Sequence, residues 1–229
     1  MERYNRQIIL SDVGISGQKK LLDAKVLIVG VGGLGSPISL YLTGAGIGTI
    51  GIIDNDKISL NNLHRQLLYS ETEIGLPKVE QAKKRLNSIN SDINIVAYNE
   101  YLTASNVKKI FADYDIIVDG LDNHQSRYLI DDECKKQKKP YVYGAVREYM
   151  GQVGVFNYKG GISYSDVFDD VKDDNNVYGL FGVLPGIIGM LEANEVIKII
   201  TGVGEILSGK LLQYDLKTNT QNIFDLSGL

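Results

Sequence analysis

Two patterns of apolar and polar positions alternate along the first two thirds of the chain. Short apolar runs with the length of a buried strand are separated by longer segments in which apolar residues recur at helical spacing. The predicted strands are 25–29, 49–53, 93–98, 115–118 and 141–146, and the predicted helices are 34–46, 78–89, 104–112 and 125–137. Strands that alternate with helices are typical of a mostly parallel sheet with helices on both faces. The pattern predicts an α/β fold.

The last third of the chain follows a different pattern. Its predicted elements are a strand at 152–157, an aspartate-rich irregular segment at 160–182, a strongly apolar helix at 187–201, and a closing β-hairpin at 210–215 and 221–225. We therefore expect a mixed or antiparallel C-terminal extension of the sheet. No internal repeat and no linker marks a second domain, so the sequence predicts a single domain over residues 1–229.

A cluster of glycines lies between the first predicted strand and the helix that follows it. Gly30, Gly32, Gly33 and Gly35 come directly after the apolar run, and Asp54 ends the next strand. Such a turn points backbone N–H groups and the positive end of a helix dipole at one position, which suits a phosphate. An acid at the end of the second strand can reach a ribose hydroxyl. This Rossmann-like βαβ unit predicts nucleotide binding.

Composition and charge narrow the range of partners. The chain has 229 residues, of which 44% are hydrophobic, and a formal net charge of -4, which gives no overall attraction to nucleic acid or to acidic lipid headgroups. A single cysteine excludes an intrachain disulfide and a cysteine-rich metal site. No signal peptide is recognisable, and no apolar run approaches the roughly 20 residues that span a bilayer. We expect a cytoplasmic protein with no nucleic-acid or membrane partner.

Three charged residues change the expected ligand. The glycine turn alone favours a nicotinamide cofactor, since most matches to it in this context belong to NAD or FAD enzymes. However, Arg65 and Lys78 follow the second strand, where they could converge on phosphates, and Asp122 follows the fourth strand at the same edge of the sheet. Hydride transfer has no use for two cations, whereas phosphoryl and nucleotidyl transfer require charge on the phosphate oxygens to be neutralised. With Asp122 as a magnesium ligand, the three residues suit a nucleoside triphosphate.

Five ordered motifs resemble a known family. They are RYNRQ at 3–7, GVGGLG at 30–35, IIDNDKISLNNLHRQ at 52–66, GLPK at 75–78 and DGLDN at 119–123. Together they resemble the ThiF/MoeB/HesA family, the bacterial relatives of ubiquitin-activating enzymes, over nearly the whole chain. The resemblance implies an ATP-dependent adenylyltransferase that activates the C-terminal glycine of a small ubiquitin-fold sulfur carrier. The carrier would be ThiS-like or MoaD-like, and its acyl-adenylate would serve sulfur transfer in thiamine or molybdenum cofactor biosynthesis.

The resemblance also implies roles for individual residues. Those expected to contact the nucleotide are Gly30, Gly32, Gly33, Gly35, Asp54, Asn61, Asn62, Leu63, His64, Arg65, Lys78, Asp122 and Asn123. Asp54 would bind the ribose, Arg65 and Lys78 would neutralise the phosphates, and Asp122 would hold magnesium. Arg6 would reach the partner subunit's site in a homodimer, which completes the expected catalytic set. The nucleotide-binding half would end near residue 147, and 148–229 would receive the carrier's tail.

Two features of many family members are missing from this chain. Neither of the two CxxC pairs that bind a structural zinc is present, so no zinc site is expected. The segment 173–185 lacks the cysteine that takes part in later chemistry in some members. We therefore expect the protein to stop at the acyl-adenylate and a separate protein to donate sulfur.

Other interpretations stay open from sequence alone. A nicotinamide-dependent oxidoreductase, a nucleotide-binding scaffold without turnover, and an adenylating enzyme for a different tail each fit part of the sequence. Asp56 and Asp119 have weaker claims than Asp54 and Asp122, since they also fit as turn and strand-end residues.

Several single residues have ordinary structural explanations. Cys134 is expected to be an ordinary packing or surface residue rather than a nucleophile, and His64 to make a local hydrogen bond. Arg127 is expected either to contact substrate or to form an i,i+4 ion pair with Asp131. The aspartates predicted to form a mobile, solvated loop are those at 166, 169, 170, 173 and 174.

Overall fold

A computed structural model describes residues 1–173, 176, 178–226 and 228. The strands are β1 (Lys25–Val29), β2 (Thr49–Ile53), β3 (Asn94–Tyr98), β4 (Ile116–Asp119), β5 (Tyr141–Arg147), β6 (Met150–Phe156), β7 (Lys210–Asp215) and β8 (Thr220–Asp225). They form one sheet in the order β3-β2-β1-β4-β5-β6-β7-β8. Neighbouring strands from β3 to β5 pair in parallel, and those from β5 to β8 pair antiparallel. The predicted α/β fold with an antiparallel C-terminal extension is confirmed.

Helices cover both faces of this sheet. They are α1 (Asn5–Ile8), α2 (Gly14–Asp23), α3 (Gly35–Ala45), α4 (Lys78–Ile89), α5 (Val107–Ala112), α6 (His124–Gln137), α7 (Tyr164–Val167) and α8 (Val183–Thr201). Val26 and Ile28 of β1 belong to the core cluster that contains α3, α4 and α8, whereas Leu27 and Val29 belong to the cluster with α5 and α6. The alternation follows from the two-residue period of a strand. Burial on both faces explains why β1 is a continuous apolar run.

β1 lies where the strand order reverses. It pairs in parallel with β2 on one side and with β4 on the other. Connections that leave on opposite sides of the sheet open a crevice at the carboxyl ends of the strands. Gly30, Asp54 and Gly120 follow β1, β2 and β4 at this edge.

Most of the predicted elements are present, and the helices that differ most from the prediction in their first residue are α5 and α8. β1, β2 and α4 begin and end at the predicted residues. α8 begins at Val183 rather than at 187 and includes Pro185 in its first turn, where proline's missing N–H group is not needed. α5 begins at Val107 rather than at 104, because the Asn106 side chain accepts from the Thr103 N–H and donates to the Tyr101 carbonyl.

The aspartate-rich segment is more regular than predicted. It contains α7, whose N-terminus is capped by Ser163 and Asp166. The Asp173 carboxylate accepts hydrogen bonds from the backbone N–H groups of His124 and Gln125 at 2.6 and 3.1 Å. The prediction of a loop is therefore wrong for Asp166, which lies in α7, whereas Asp173 is exposed and lies outside the helices and strands, as predicted. The aspartates at 169 and 170 are exposed, and the one at 174 lies outside the described residues.

Cys134 is a core residue of α6. Its side chain is fully buried in the cluster that also contains Phe111 and Ile130. Burial raises the pKa of the thiol well above its ordinary value, so the thiol stays protonated. Of the two predicted ordinary roles, the structure shows packing rather than surface exposure.

None of the described helices combines the length and apolar character that a transmembrane span requires.

A buried glutamate lies between α8 and the sheet. Glu192 has no exposed surface, and neither of its carboxylate oxygens has a hydrogen-bond partner among the described residues. The side chain fits against β5 because Gly144 has no Cβ, which would overlap with the carboxyl group. Burial raises the pKa of Glu192 well above its ordinary value, and the nearby Asp119 raises it further. The carboxyl group is therefore neutral near pH 7, since an unpaired buried charge is too costly.

Replacement of this residue tests the buried acid. A raised pKa in the folded state stabilises the protein below the ordinary pKa of glutamate, and this contribution is lost as pH rises towards the folded-state pKa. Glu192→Gln removes the titration, so the variant's advantage in unfolding free energy should grow by roughly 1 kcal/mol per pH unit above pH 5. Denaturant unfolding between pH 5 and 8 measures it, with the exposed Glu80→Gln as the control. Equal pH slopes for wild type and Glu192→Gln would contradict this account.

Candidate functional site

A cavity of about 780 Å³ opens at the carboxyl edge of the sheet, where β1, β2 and β4 end. Its volume lies within the roughly 300–1,000 Å³ of pockets that hold small molecules and cofactors. The residues with predicted nucleotide roles that line it are Gly30, Gly32, Gly33, Asp54, Asn61, Asn62, His64, Arg65, Lys78, Asp122 and Asn123. Gly35 and Leu63 lie outside the lining: Gly35 is directly against the Gly30 carbonyl, and Leu63 packs against the core.

The glycine turn is shaped by a close approach of two strand ends. Gly30 has a φ of 90°, and a Cβ at this position would collide with the Gly120 carbonyl that follows β4. Only glycine meets both conditions without strain. Gly33 lines the cavity. A Cβ at this position would be in van der Waals contact with the side chains of Arg65 and Pro185. The turn therefore leaves backbone rather than side chains on this wall of the cavity.

Asp54 fastens the glycine turn to the end of β2. One carboxylate oxygen accepts from the Val31 N–H at 2.9 Å, and the other accepts from the Asp56 N–H at 2.8 Å. The Tyr69 hydroxyl donates to the Val31 carbonyl at 2.8 Å and holds the same turn from the other side. Asp54 thus has a structural role in addition to its place in the cavity lining.

Arg65 is directed by its own loop. Its Nη1 donates to the Asn61 carbonyl at 3.1 Å and lies 2.7 Å from Nε2 of His64. The local hydrogen bond predicted for His64 is confirmed. The Cγ and Cδ atoms of Arg65 also lie beside Gly33, so the stem of the side chain packs next to the glycine turn.

Lys78 enters the cavity from the first residue of α4. Its side chain is only 4% exposed, and its Nζ lies 2.9 Å from an oxygen of Asp56, which is itself 61% exposed. Arg65 and Lys78 line the same cavity, so the two cations are brought to one site. A cavity with two cations and a backbone turn is suited to a polyphosphate.

Asp122 and Asn123 lie between β4 and α6. The Asn123 side chain accepts from the Ser126 N–H at 2.9 Å and caps α6, while Asp122 is exposed to the cavity. Across the described part of the chain, no three His, Cys, Asp or Glu side chains are grouped as a metal site. A single carboxylate fits magnesium when phosphate oxygens and water complete its shell, as in many nucleotide sites.

Arg6 lies on α1, outside the cavity lining of its own chain. Its side chain is exposed. Arg6 is therefore separate from the other predicted catalytic residues, which line the cavity together.

The ion pair predicted between Arg127 and Asp131 is wrong. Arg127 Nε instead donates to Asp119 at 2.7 Å, and Nη2 donates to the carbonyls of Leu121 and Gly144. Burial opposes the charge on Arg127, but the Asp119 carboxylate more than offsets it, so the pKa of Arg127 rises. The i,i+4 spacing misled because Asp119, at the end of β4, pairs with the Arg127 guanidinium instead.

Asp131 has partners on the C-terminal part of the chain. Its carboxylate accepts from the Asn157 side chain at 2.8 Å and from the backbone of Tyr164 and Ser165. The Tyr164 hydroxyl in turn lies 2.6 Å from Nδ1 of His124, so His124 does more than begin α6. The Arg127–Asp119 pair, by contrast, holds the chain just before Asp122.

Sequence reasoning missed several residues of the cavity. Those after β3 are Glu100, Tyr101 and Leu102, the one from β5 is Val146, and those from the C-terminal part are Asn176, Tyr178, Leu180 and Pro185. The guanidinium carbon of Arg147 lies 3.7 Å from the ring centroid of Tyr178, which places this tyrosine against β5. The first group had a usable signal, since it follows a parallel strand at the same edge.

One family model and several known proteins match nearly the whole chain. The model of the ThiF family matches residues 4–228. A probable molybdopterin-synthase adenylyltransferase of Porphyra purpurea is 45% identical over 222 residues, which cover 94% of this chain and 58% of the relative. The adenylyltransferase and sulfurtransferase MOCS3 of Aedes aegypti is 47% identical over 218 residues, which cover 93% of this chain and 50% of the relative. The chain thus spans between half and three fifths of the length of these relatives.

Solved structures show the same architecture. The crystal structure of E. coli MccB with AMPCPP and MccA has a TM-score of 0.87 at 25% identity, and the match covers 98% of this chain and 71% of that one. The crystal structure of PaaA has a TM-score of 0.83 at 25% identity, with 98% and 73% covered. Because the family model extends over nearly all of the sequence and the fold agrees, this chain belongs to the ThiF family.

Proposed function

We propose that this protein is an ATP-dependent adenylyltransferase that activates the C-terminal carboxylate of a small carrier protein. The observation that carries the proposal is the presence of Arg65, Lys78 and Asp122 around the glycine turn in one cavity. The adenylyltransferase names of relatives that are 45% and 47% identical support it. The crystallised MccB complex with AMPCPP, an ATP analogue, supports the choice of nucleotide.

The reaction needs no nucleophile from the protein. A carboxylate oxygen of the carrier attacks the α-phosphorus of ATP, the bond from this phosphorus to the bridging oxygen breaks, and pyrophosphate leaves with the electron pair. The product is an acyl-adenylate. Negative charge grows on the leaving pyrophosphate, and fixed cations at that point stabilise the transition state without reorganisation. We assign this role to Arg65 and Lys78.

The other lining residues bind and orient the nucleotide. The backbone around Gly33 lets the α-phosphate approach closely, Asp54 accepts from the ribose, and 61–64 line the phosphates. Asp122 would hold magnesium with Asn123 beside it, and the metal would neutralise phosphate charge. Proximity of the two reactants supplies much of the rate enhancement.

A MoaD-like sulfur carrier is the best-supported acceptor. The Porphyra relative is named a molybdopterin-synthase adenylyltransferase, and a ThiS-like carrier of the thiamine pathway is the family alternative. We assign residues 148–229 to the carrier's tail, since Tyr178 and Leu180 line the cavity beside the glycine turn. A separate protein would donate sulfur, because the segment 173–185 has no cysteine. The cytoplasmic location stays a prediction.

A homodimer would complete the site. Arg6 is exposed and lies outside the cavity of its own chain. A second copy that delivers Arg6 to the cavity would add a third cation near the phosphates.

Pyrophosphate exchange tests the proposed activity. With ATP, magnesium and a MoaD-like or ThiS-like carrier that ends in Gly-Gly, labelled pyrophosphate should enter ATP, because formation of the adenylate is reversible. A chelator and a carrier that lacks its last two residues should each abolish the exchange. No exchange with any such carrier would reject the proposal, and tight NADH binding without ATP binding would favour a nicotinamide enzyme.

Removal of one cation tests the residue assignment. Lys78→Ala should lower the rate constant of exchange by roughly 10²–10³-fold, the usual loss when one group that stabilises a developing charge is removed. Lys57→Ala is the matched control, since Lys57 is exposed and absent from the cavity lining. A Lys78→Ala protein that exchanges at the wild-type rate would refute the role of Lys78.

Mixing of two inactive variants tests the dimer. Arg6→Ala and Lys78→Ala should each be weak alone. Half of the dimers in an equimolar mixture after subunit exchange would be hybrids with one intact site, so about a quarter of wild-type activity should return. If Arg6 acted within its own chain, no activity would return.

A further inference from the structure

Two charged residues that line the cavity, Asp56 and Glu100, have no role in the proposed reaction, and Asp56 is the one paired with Lys78. Asp56 lies two residues after Asp54, lines the cavity and has a side chain that is 61% exposed. Its carboxylate forms an ion pair with the nearly buried Lys78, at 2.9 Å. A carboxylate beside a phosphate site repels the ligand, so its presence there calls for a function.

The backbone of Asp56 is fixed from two directions. Its N–H donates to the Asp54 carboxylate at 2.8 Å, and its carbonyl accepts from the Lys78 N–H at 2.9 Å. The neighbouring Lys57 and Pro77 form an antiparallel bridge, and the Ile58 N–H donates to the Leu76 carbonyl at 3.0 Å. The segments that carry Asp56 and Lys78 are therefore fastened side by side, and through Asp54 to the glycine turn.

The ion pair restricts a flexible cation. A lysine ammonium is a compact charge on a four-carbon stem with many rotamers, and it carries three N–H donors. Among the described residues, Asp56 is the one acidic partner of Lys78, and the distance corresponds to a hydrogen bond that uses one donor. The ammonium group is thereby held at the cavity wall with donors left for a phosphate.

We propose that Asp56 is the positioning residue that holds the Lys78 ammonium in place for the charge that develops on the leaving pyrophosphate. The inference rests on the proposed function and extends it from the cation to the group that directs it. A cation fixed before the reaction needs no reorganisation as charge develops. Loss of the carboxylate leaves Lys78 present but free to leave its position, and misplacement by about 1 Å can cost roughly 10²-fold in rate.

A double-mutant cycle separates positioning from structural support. Asp56→Asn keeps the size and the backbone hydrogen bonds but removes the charge, so it should lower kcat for exchange by roughly 10–100-fold while the Kd for ATP from calorimetry changes little. In a Lys78→Ala background the same substitution should have no further effect. Asp56→Glu keeps the charge on a longer stem and should recover part of the loss. Glu80→Gln removes the same charge from an exposed residue two positions after Lys78 in α4, and this variant should match wild type.

A second measurement does not depend on turnover. In wild type, Lys78 should react slowly with an amine-acylating reagent, and Asp56→Asn should speed its modification several-fold, with the exposed Lys57 unchanged as the internal reference. Mass spectrometry of the digested protein gives both rates. If wild type fails to exchange pyrophosphate, the proposed function fails while this measurement still decides whether Asp56 holds Lys78.

Two results would overturn the inference. One is an equal loss from Asp56→Asn with and without Lys78, which would show that Asp56 acts on the fold rather than on the lysine. The other is an unchanged acylation rate at Lys78 in Asp56→Asn.

Discussion

The carboxylate of Asp54 is the interaction on which the geometry of the cavity depends. It joins the turn after β1 to the segment after β2, through the N–H groups of Val31 and Asp56. The Asp56 carbonyl then accepts a hydrogen bond from the N–H of Lys78, the first residue of α4. A charge at the end of one strand thus sets the relative position of the glycine turn and of a cation that is 24 residues further along the chain.

The sheet makes this arrangement possible. Parallel strands present their carboxyl ends at one edge, and the reversal of strand order at β1 opens a crevice there. The close approach of Gly30 to Gly120 fits the turns after β1 and β4 together. The buried pair of Arg127 and Asp119 then fixes the chain just before Asp122, because both side chains also bond to the backbone of Leu121. Apolar packing therefore places the strand ends, and a few hydrogen-bonded charges place the functional groups.

The elements were more predictable from sequence than the side-chain partners. β1 and β2 were placed at their observed bounds because each is a buried apolar run that ends directly before a glycine or a charged residue. The partner of Arg127 was missed because local spacing suggested Asp131, whereas the true partner, Asp119, is brought close only by the packing of α6 on the sheet. Glu192 gave no signal, since an acid in an apolar helix looks like a surface residue until Gly144 is placed opposite it.

Transfer of label from ATP to the carrier tests the central claim most directly. If a carrier carboxylate attacks the α-phosphorus within this cavity, label in the α-phosphate should appear on the intact carrier, and label in the γ-phosphate should appear only in pyrophosphate. Label from the γ-phosphate on the carrier, or release of ADP, would place the attack at a different phosphorus and contradict the account.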